Sequence, residues 1–459
     1  MRVVARHGLS AAVYRANGVL DAGELQVSSS RVGLELLSRD LRYCWCAVWR
    51  AGLETACIHM IRSTCTGLAL VATALACRGG ESTILRPTRT DSAGVEIVEN
   101  QADDRPLQWS LDPVLRLGGQ DVGPEMFFRV ARPLVSVDRA GNIFLLDPSG
   151  FSVTKFTPQG EPLFTAGREG GGPGEFKRPL SVAAWRDGGV AVLDRGRGSS
   201  GGTVIRFGAN GSLLHELPVG RIDARILPLG SGLVQQDGQY LEDGYQDALQ
   251  FIRGSDSVEL AATSVSEIRS YRFSSCGGSG VGITGFVIFA PRMIWHGTQS
   301  ILVVNSEPGY VVDFYDSDGI LTRSVRRRTE PRLATADVAE EWVRANPRRI
   351  TRMTADGPQE CIFDPDEVVE KQGYASYVPE IADVTVAPDG SLWVERYQVG
   401  EERQRVDVFD PTGAYVGTVP PGFPLPLHVT AAGHLLVSER DDLDVERLVV
   451  AKVQRQPLQ

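Results

Sequence analysis

The chain has 459 residues and a formal net charge of −10, which gives room for one large domain or two to three ordinary ones. Residues 1–80 hold nine Arg and five acids, a net +4, so the remainder carries −14. An acidic body with only four lysines (Lys155, Lys177, Lys371 and Lys452) and no basic stripe argues against nucleic acid as a partner, because phosphate binding needs a basic face.

Residues 1–59 show no periodic pattern and contain Cys44, Cys46 and Cys57. They read as a start assigned too early or as a genuine N-terminal extension. Met60-Ile61-Arg62 then precedes an apolar run from Thr66 to Ala76. A short basic segment, an apolar run of this length and small residues at its end make residues 60–77 a signal peptide, with a buried core helix as the alternative. The run is too short to span a bilayer, which takes ~20 apolar residues. Cys77 follows Ala74-Leu75-Ala76 directly, as the Cys of a bacterial lipobox does, although Ala74 stands where that pattern prefers Leu. Ala-Leu-Ala also suits the ordinary signal peptidase, so simple secretion is the other outcome. Residues 78–106 read as linker.

From residue 107 to the C-terminus the chain repeats one unit. A strand, a tight Gly turn and a second strand appear at Val135–Asp147, around Gly141, and at Leu180–Asp194, around Gly188. They return, more weakly, at 224–237 and 293–305, and clearly at Ala382–Glu395 and His428–Glu439. Four are followed by an apolar residue, a Phe three later and a Gly turn, as in Val153, Phe156 and Gly160, or Val406, Phe409 and Gly413, and Leu249-Gln-Phe251 and Leu448-Val-Val450 are degenerate copies. Alternation around such turns is the β-hairpin signal. Two hairpins make a four-stranded sheet, and a lone sheet cannot bury both faces. Six sheets packed radially can, and closing the ring removes exposed edges. The expected fold is therefore all-β, a six-bladed β-propeller over residues 107–459. The last unit supplies three clear strands, so Leu107 to Leu117 is expected to be its outermost strand and to close the ring.

Two blade-to-blade connections are expanded. One lies near 264–289; the other, near 328–380, contains a short helix capped by Thr335 or Asp337 and stopped at Pro347. Both are expected on the same face of the disc. Each holds one cysteine, Cys276 and Cys361, and export would allow the two to form a disulfide.

The connection Gly167-Arg-Glu-Gly-Gly-Gly172-Pro173-Gly174-Glu-Phe176-Lys-Arg-Pro179 and its shorter echo Gly123-Pro124-Glu-Met-Phe127 resemble the NHL-repeat family of propellers. The resemblance implies that Phe176 plugs the gap between two blades. The chain is also similar to six-bladed propellers found among bacterial lipoproteins. It implies a cell-envelope protein, at the outer membrane or in the periplasm, touching a membrane only through an N-terminal lipid.

Three motifs fail on context. Gly280-Val-Gly282-Ile-Thr-Gly285 runs straight into a β-rich stretch, not the helix that a dinucleotide site needs. Gly198-Ser-Ser200-Gly-Gly202 precedes a strand and so is no nucleophile elbow. Asp316-Ser-Asp318-Gly319 lacks the flanking acids of a calcium loop and reads as a turn. The histidines show no metal-ligand spacing, and no cofactor is identified. One constellation remains. The second strand of each unit ends in a polar residue: Asp147, Asp194, Asp237, Asn305, Glu395 and Glu439, with Arg195, Arg396 and Arg440 beside three of them. Asp and Asn also end strands simply by making turns. Around a closed ring these positions are expected to converge on one rim near the channel, on the face of the two insertions, and to bind a small-molecule or protein ligand without catalysis. The alternative is a metal-assisted hydrolase or lyase with a divalent cation held by acids at the channel mouth.

The signal reading makes a direct prediction. Expression from Met60 gives a membrane-associated product that incorporates labelled fatty acid, and Cys77→Ser releases it; an unlabelled product with a free N-terminus leaves secretion without a lipid.

Overall fold

Apolar stretches that alternate with period two and break at Gly fold back on themselves as hairpins. In the computed structural model, which describes residues 86–118, 129–196, 201–219, 225–273, 281–354, 357–440 and 445–455, these hairpins build a six-bladed β-propeller. The strands of each blade run antiparallel from the axis outward. Blade 1 is Val135–Val137, Ile143–Asp147, Ser152–Phe156 and Pro162–Ala166. Blade 2 is Pro179–Ala184, Val190–Asp194, Gly202–Phe207 and Leu213–Val219. Blade 3 is Ile226–Leu229, Gly232–Leu241, Gly244–Arg253 and Asp256–Ala262. Blade 4 is Ile294–Gly297, Leu302–Asn305, Val311–Tyr315 and Leu321–Arg327. Blade 5 is Ile381–Val386, Leu392–Arg396, Val406–Phe409 and Tyr415–Thr418. Blade 6 is His428–Val429, Leu435–Arg440 and Glu446–Arg455, completed by Trp109–Leu117 from the other end of the chain.

The turns reuse one device. Asp138 Oδ1 accepts from the N–H groups of Ala140 and Asn142, both at 2.9 Å, while Gly141 takes a φ of +83° that disfavours a side chain. Asp316 with Gly319 and Asp410 with Gly413 do the same, so the Asp316 stretch is a turn, as its sequence suggests.

Closure involves more than the outermost strand of blade 6. The described part of the expected linker is a hairpin, Thr88–Ser92 and Val95–Asn100, whose second strand pairs parallel with Leu321–Arg327 of blade 4. Its first strand is exposed along its whole length, while the second buries Val98 in the core beside Val325; the Asp91 to Gly94 turn and the apolar Val95 and Ile97 after it are its signal in the sequence. Asn100 then bridges two blades: its Nδ2 donates to Arg326 O and Gly413 O, and its Oδ1 accepts from Tyr415 N at 2.8 Å. Beyond it the guanidinium of Arg327 donates to the carbonyls of Gln101, Ala102 and Asp103 and to Asp104 Oδ1. Its remaining Nη1 reaches Asp407 Oδ2 at 2.7 Å. Asp407 has no exposed surface and also accepts from Tyr310 Oη, Thr418 Oγ1 and the guanidinium of Arg396. Arg396 bonds Asp104 as well. Burial works against the charge of Asp104, yet Arg396 and Arg327 hold its carboxyl down at about 2. The chain passes from there to the outer edge of blade 5, where Leu107 N donates to Thr418 O, and on to blade 6.

Both insertions leave the disc on the face of the blade-to-blade connections and fold together. The first is a hairpin, Ile268–Phe273 with Val281–Phe286. The second contains helix α1 (Ala336–Ala345), capped by Thr335, a hairpin, Arg349–Thr354 with Gly357–Ile362, and helix α2 (Pro365–Gln372), capped by Asp364. Helix α1 matches the expectation; the second hairpin and α2 go beyond it. Phe273, Phe289, Val343, Phe363 and Val368 form their shared core, with the rings of Phe273 and Phe363 4.1 Å apart. Cys361 is engaged in a disulfide. Cys276 lies outside the described residues, as do Cys77, the Gly123 to Phe127 echo and Ser200.

The Asp407 network yields a stability prediction. Asp407→Asn removes the charge that compensates two guanidinium groups in the interior, so it should cost roughly 3 kcal/mol or more in urea unfolding. A loss below about 1 kcal/mol would mean that water reaches these groups and the network is not what holds the N-terminal segment.

Candidate functional site at the propeller axis

The innermost strands leave a cavity of about 140 Å³ on the axis. Apolar side chains such as Val135, Val182, Val386 and Trp295 line it together with four polar groups that the repeat does not explain: Arg132, Arg225, His296 and His428.

The two histidines form a strap across the axis. Val386 N of blade 5 donates to His296 Nδ1 of blade 4 at 3.0 Å. That fixes His296 as the tautomer protonated on Nε2, and Nε2 lies 3.3 Å from Nδ1 of His428 in blade 6. His428 Nε2 in turn donates to Val135 O of blade 1 at 2.8 Å. The order runs one way, from N–H to imidazole to imidazole to carbonyl, and holds only while both rings are neutral. Burial comes first in keeping them so, and the nearby charge of Arg132 adds to it: His296 is held well below its ordinary range and His428 is pushed down to about 4.

Arg132 and Arg225 sit just before the innermost strands of blades 1 and 3, so they meet at one mouth of the cavity. Arg132 is committed. Its Nη1 donates to Asp383 Oδ1 at 2.6 Å and to Val384 O, and its Nη2 donates to Thr385 Oγ1 and Pro426 O. A one-residue bulge between Ile381 and Asp383 turns that carboxylate toward it. Arg225 is not committed. It lies over the ring of Trp295, 4.5 Å from the centroid. Trp295 itself is fixed by Nε1 donating to Gln236 Oε1. Among the described residues nothing accepts a hydrogen bond from Arg225. Burial first, then the charge of Arg132, brings its guanidinium down to about 10.

The residues singled out at the strand-two ends stand elsewhere: none of the nine lines the axial cavity. They stand on the second strand of each blade, Arg195 just past it, one strand out from the axis and not in one shared register, and the partners seen are local. Asp147 Oδ1 accepts from Ser149 N in its own turn. Asp194, with no exposed surface, accepts from Lys177 N, Arg178 N and Gly196 N and so latches the glycine-rich connection. Removing its carboxylate would leave buried donors unpaired at roughly 1–3 kcal/mol each, so its loss cannot leave stability nearly unchanged. The same connection seats Phe176, fully buried and edge-on to Phe207 at 6.0 Å, between blades 1 and 2. Asn305 caps its turn by donating to the carbonyls of Glu307, Gly309 and Val311. It also borders a second cavity of about 480 Å³ beneath the insertions. Asp237 lies in the long second strand of blade 3, opposite Ala248. Glu395 accepts from Gln404, and burial pushes its carboxyl up. Glu439 is held low by Arg447, 2.6 Å away, with Arg116 beyond. Arg396 belongs to the Asp407 network and Arg440 pairs with Glu446, so neither compensates its sequence neighbour. Arg195 N closes onto Arg178 O. Among the described residues no group of three or more His, Cys, Asp or Glu side chains is placed to hold a metal ion.

The histidine strap sets a pH dependence. In the unfolded chain an imidazole takes up a proton near pH 6.5, whereas in the fold His428 does so only near 4, so the unfolded state binds more protons between these values and stability falls as pH falls. Between pH 7 and pH 5 each such imidazole should cost roughly 2 kcal/mol of stability. His428→Asn should flatten the decline measured by denaturant unfolding over that window. An unchanged slope would mean that the ring is already protonated in the folded protein.

No protein-family model matches the chain, and no curated protein matches it in sequence. The NHL-repeat resemblance therefore stands on its connection motif alone. Among solved structures the chain is similar to a candidate exported protein from Bacteroides fragilis NCTC 9343. Identity there is 12% over 78% of this chain and 100% of that one, with a TM-score of 0.46. It is similar also to a member of the DUF4221 family from Bacteroides vulgatus, with 10% identity over 76% of this chain and 99% of that one and a TM-score of 0.39. A third is the virginiamycin B lyase of Staphylococcus aureus, with 10% identity, 75% and 99% coverage and a TM-score of 0.34. At these identities the likeness concerns the fold alone.

Proposed function

We propose that this chain is an exported propeller that binds a small molecule in its axial cavity and does no chemistry on it. The observation that supports the reading best is Arg225, a cation inside the cavity with no hydrogen-bonding partner among the described residues. Arg225 is only partly buried, so its donors stay open to an incoming group at a concave site lined largely by apolar side chains, the usual setting of a ligand position. The neutral histidine strap supports binding over catalysis. Its nitrogens are occupied by Val386 N, by each other and by Val135 O, so neither ring has a free nitrogen poised for proton transfer to a ligand. Export rests on the signal-like segment before Cys77, and the lipid anchor on the lipobox-like end of that segment. Metal-assisted chemistry would need convergent carboxylates, and Asp147, Asp194, Glu395 and Glu439 are each engaged by local partners instead.

The cavity can be tested without any mutation. His296 and His428 are two of the six histidines in the chain. Organic fragments of six to ten non-hydrogen atoms, screened singly, are expected to include binders that shift the imidazole NMR signals of these two and leave His215 and His434 in place. Fragments that bind yet shift only His215 or His434 would move the site off the axis.

A further inference from the structure

The charge in the cavity names the class of ligand, an inference that rests on the axial site just proposed. Four charged groups line the cavity, Arg132, Arg225, Arg139 and Asp138, and Asp383 stands behind Arg132. Asp138 is spent on its own turn and on Lys155, 3.5 Å away. Arg139 stands at the far end, where its Nη2 donates to Ser300 Oγ. At the near mouth Asp383 neutralises Arg132 at 2.6 Å. At this mouth that leaves Arg225 as the positive charge without an ion-pair partner among the described residues, lying over the ring of Trp295.

We propose that Arg225 receives the carboxylate of a small organic monoanion whose apolar body fills the cavity between Trp295 and Val386. Three observations carry this. A guanidinium fixed on an aromatic face presents its edge as a planar fork, and a carboxylate matches that fork with two parallel hydrogen bonds. At the near mouth, one positive charge without an ion-pair partner balances one negative charge. A dianionic phosphate would leave a surplus negative charge near the carboxylate of Asp383. The volume, about 140 Å³, is close to the ~150 Å³ cavity that accommodates benzene, so the body is about one six-membered ring. The like charge of Arg132 beside Arg225 is unfavourable in the empty cavity and is relieved when the anion enters.

The test uses the full chain and three probes of matched size or charge: benzoate, its neutral analogue benzyl alcohol, and inorganic phosphate. Benzoate is expected to shift the His296 and His428 signals and to raise the melting temperature, with benzyl alcohol and phosphate at least about tenfold weaker. Arg225→Met should weaken benzoate by about tenfold or more while the ligand-free protein melts no lower than the original, because a repelled charge is gone. Should that variant fail to fold, Arg225→Lys keeps the charge without the fork, and its benzoate affinity should still drop several-fold. Benzyl alcohol binding at the axis as tightly as benzoate would sink the anion inference and leave the axial site standing. Phosphate binding more tightly than benzoate would overturn the monocarboxylate class. Benzoate affinity unchanged in Arg225→Lys would remove the guanidinium from the site. If neither these probes nor any fragment moves the His296 and His428 signals, both the class and the axial reading fall.

Discussion

Asp407 accepts hydrogen bonds from two guanidinium groups, a tyrosine and a threonine with no exposure of its own, and the closed ring depends on it. A propeller has no terminal cap, so its first and last blades must be joined by something other than chain order. Here the N-terminal segment is laced along the outside of blade 4, across blade 5 and into blade 6. Arg327 and Arg396 pin it at Asp104 on one side and at Asp407 on the other. Such a network stabilises only when every charge in it has a partner, since buried charges left alone cost several kcal/mol. That requirement makes the lacing specific: the segment fits in one register, set by Asn100 and by the carbonyls of residues 101 to 103.

A ring locked from outside can tolerate an imperfect interior at its axis. The innermost strands send apolar side chains sideways between blades, so little of the hydrophobic core depends on what stands in the channel. The axis therefore holds what a packed core would reject: two arginines near one another and two histidines that must stay neutral. The strap from Val386 through both imidazoles to Val135 touches blades 5, 4, 6 and 1 in turn. It spaces the inner strands and keeps the cavity from collapsing around Trp295.

This division explains what the sequence shows of the fold and of the site. The blades are legible because their Asp and Gly turns recur, and the outermost strand of blade 6 follows from counting three strands where four are needed. The hairpin at 88–100 is half hidden: its exposed polar first strand has no apolar face to print a period, although the turn at Asp91 to Gly94 and Val95, Ile97 and Val98 after it are readable. The second insertion hides α2 and the hairpin at 349–362, although the Asp-Gly pair at 356–357 carries a readable turn signal. The site fails to show for a more general reason. Reading repeats finds residues that recur, and Asp194 or Asn305 recur in kind because every blade needs its turn and its connection held. Arg225, His296 and His428 occur once each. The available signal is the exception, a histidine in the innermost strand of blades 4 and 6, where blades 1, 2 and 3 place only apolar or small residues.

Repetition and function therefore pull apart in this fold. A residue type that returns at one position in every blade has a job that each blade shares, and the shared jobs are structural. Binding a single asymmetric ligand on an axis of approximate sixfold symmetry needs the symmetry broken, by different side chains at equivalent inner positions. Blade 1 contributes Arg132 and blade 3 Arg225, each just before its inner strand, blades 4 and 6 contribute His296 and His428 within theirs, and blade 5 sets Asp383 behind Arg132. Blade 2 offers only small and apolar groups there, Ser181, Val182, Ala183 and Ala184. The inner strands thus present charge on one side of the cavity and apolar surface on the other. An amphipathic molecule with a single charged end meets that asymmetry in one orientation, its charge toward blades 1 and 3 and its body toward Val386 and Trp295.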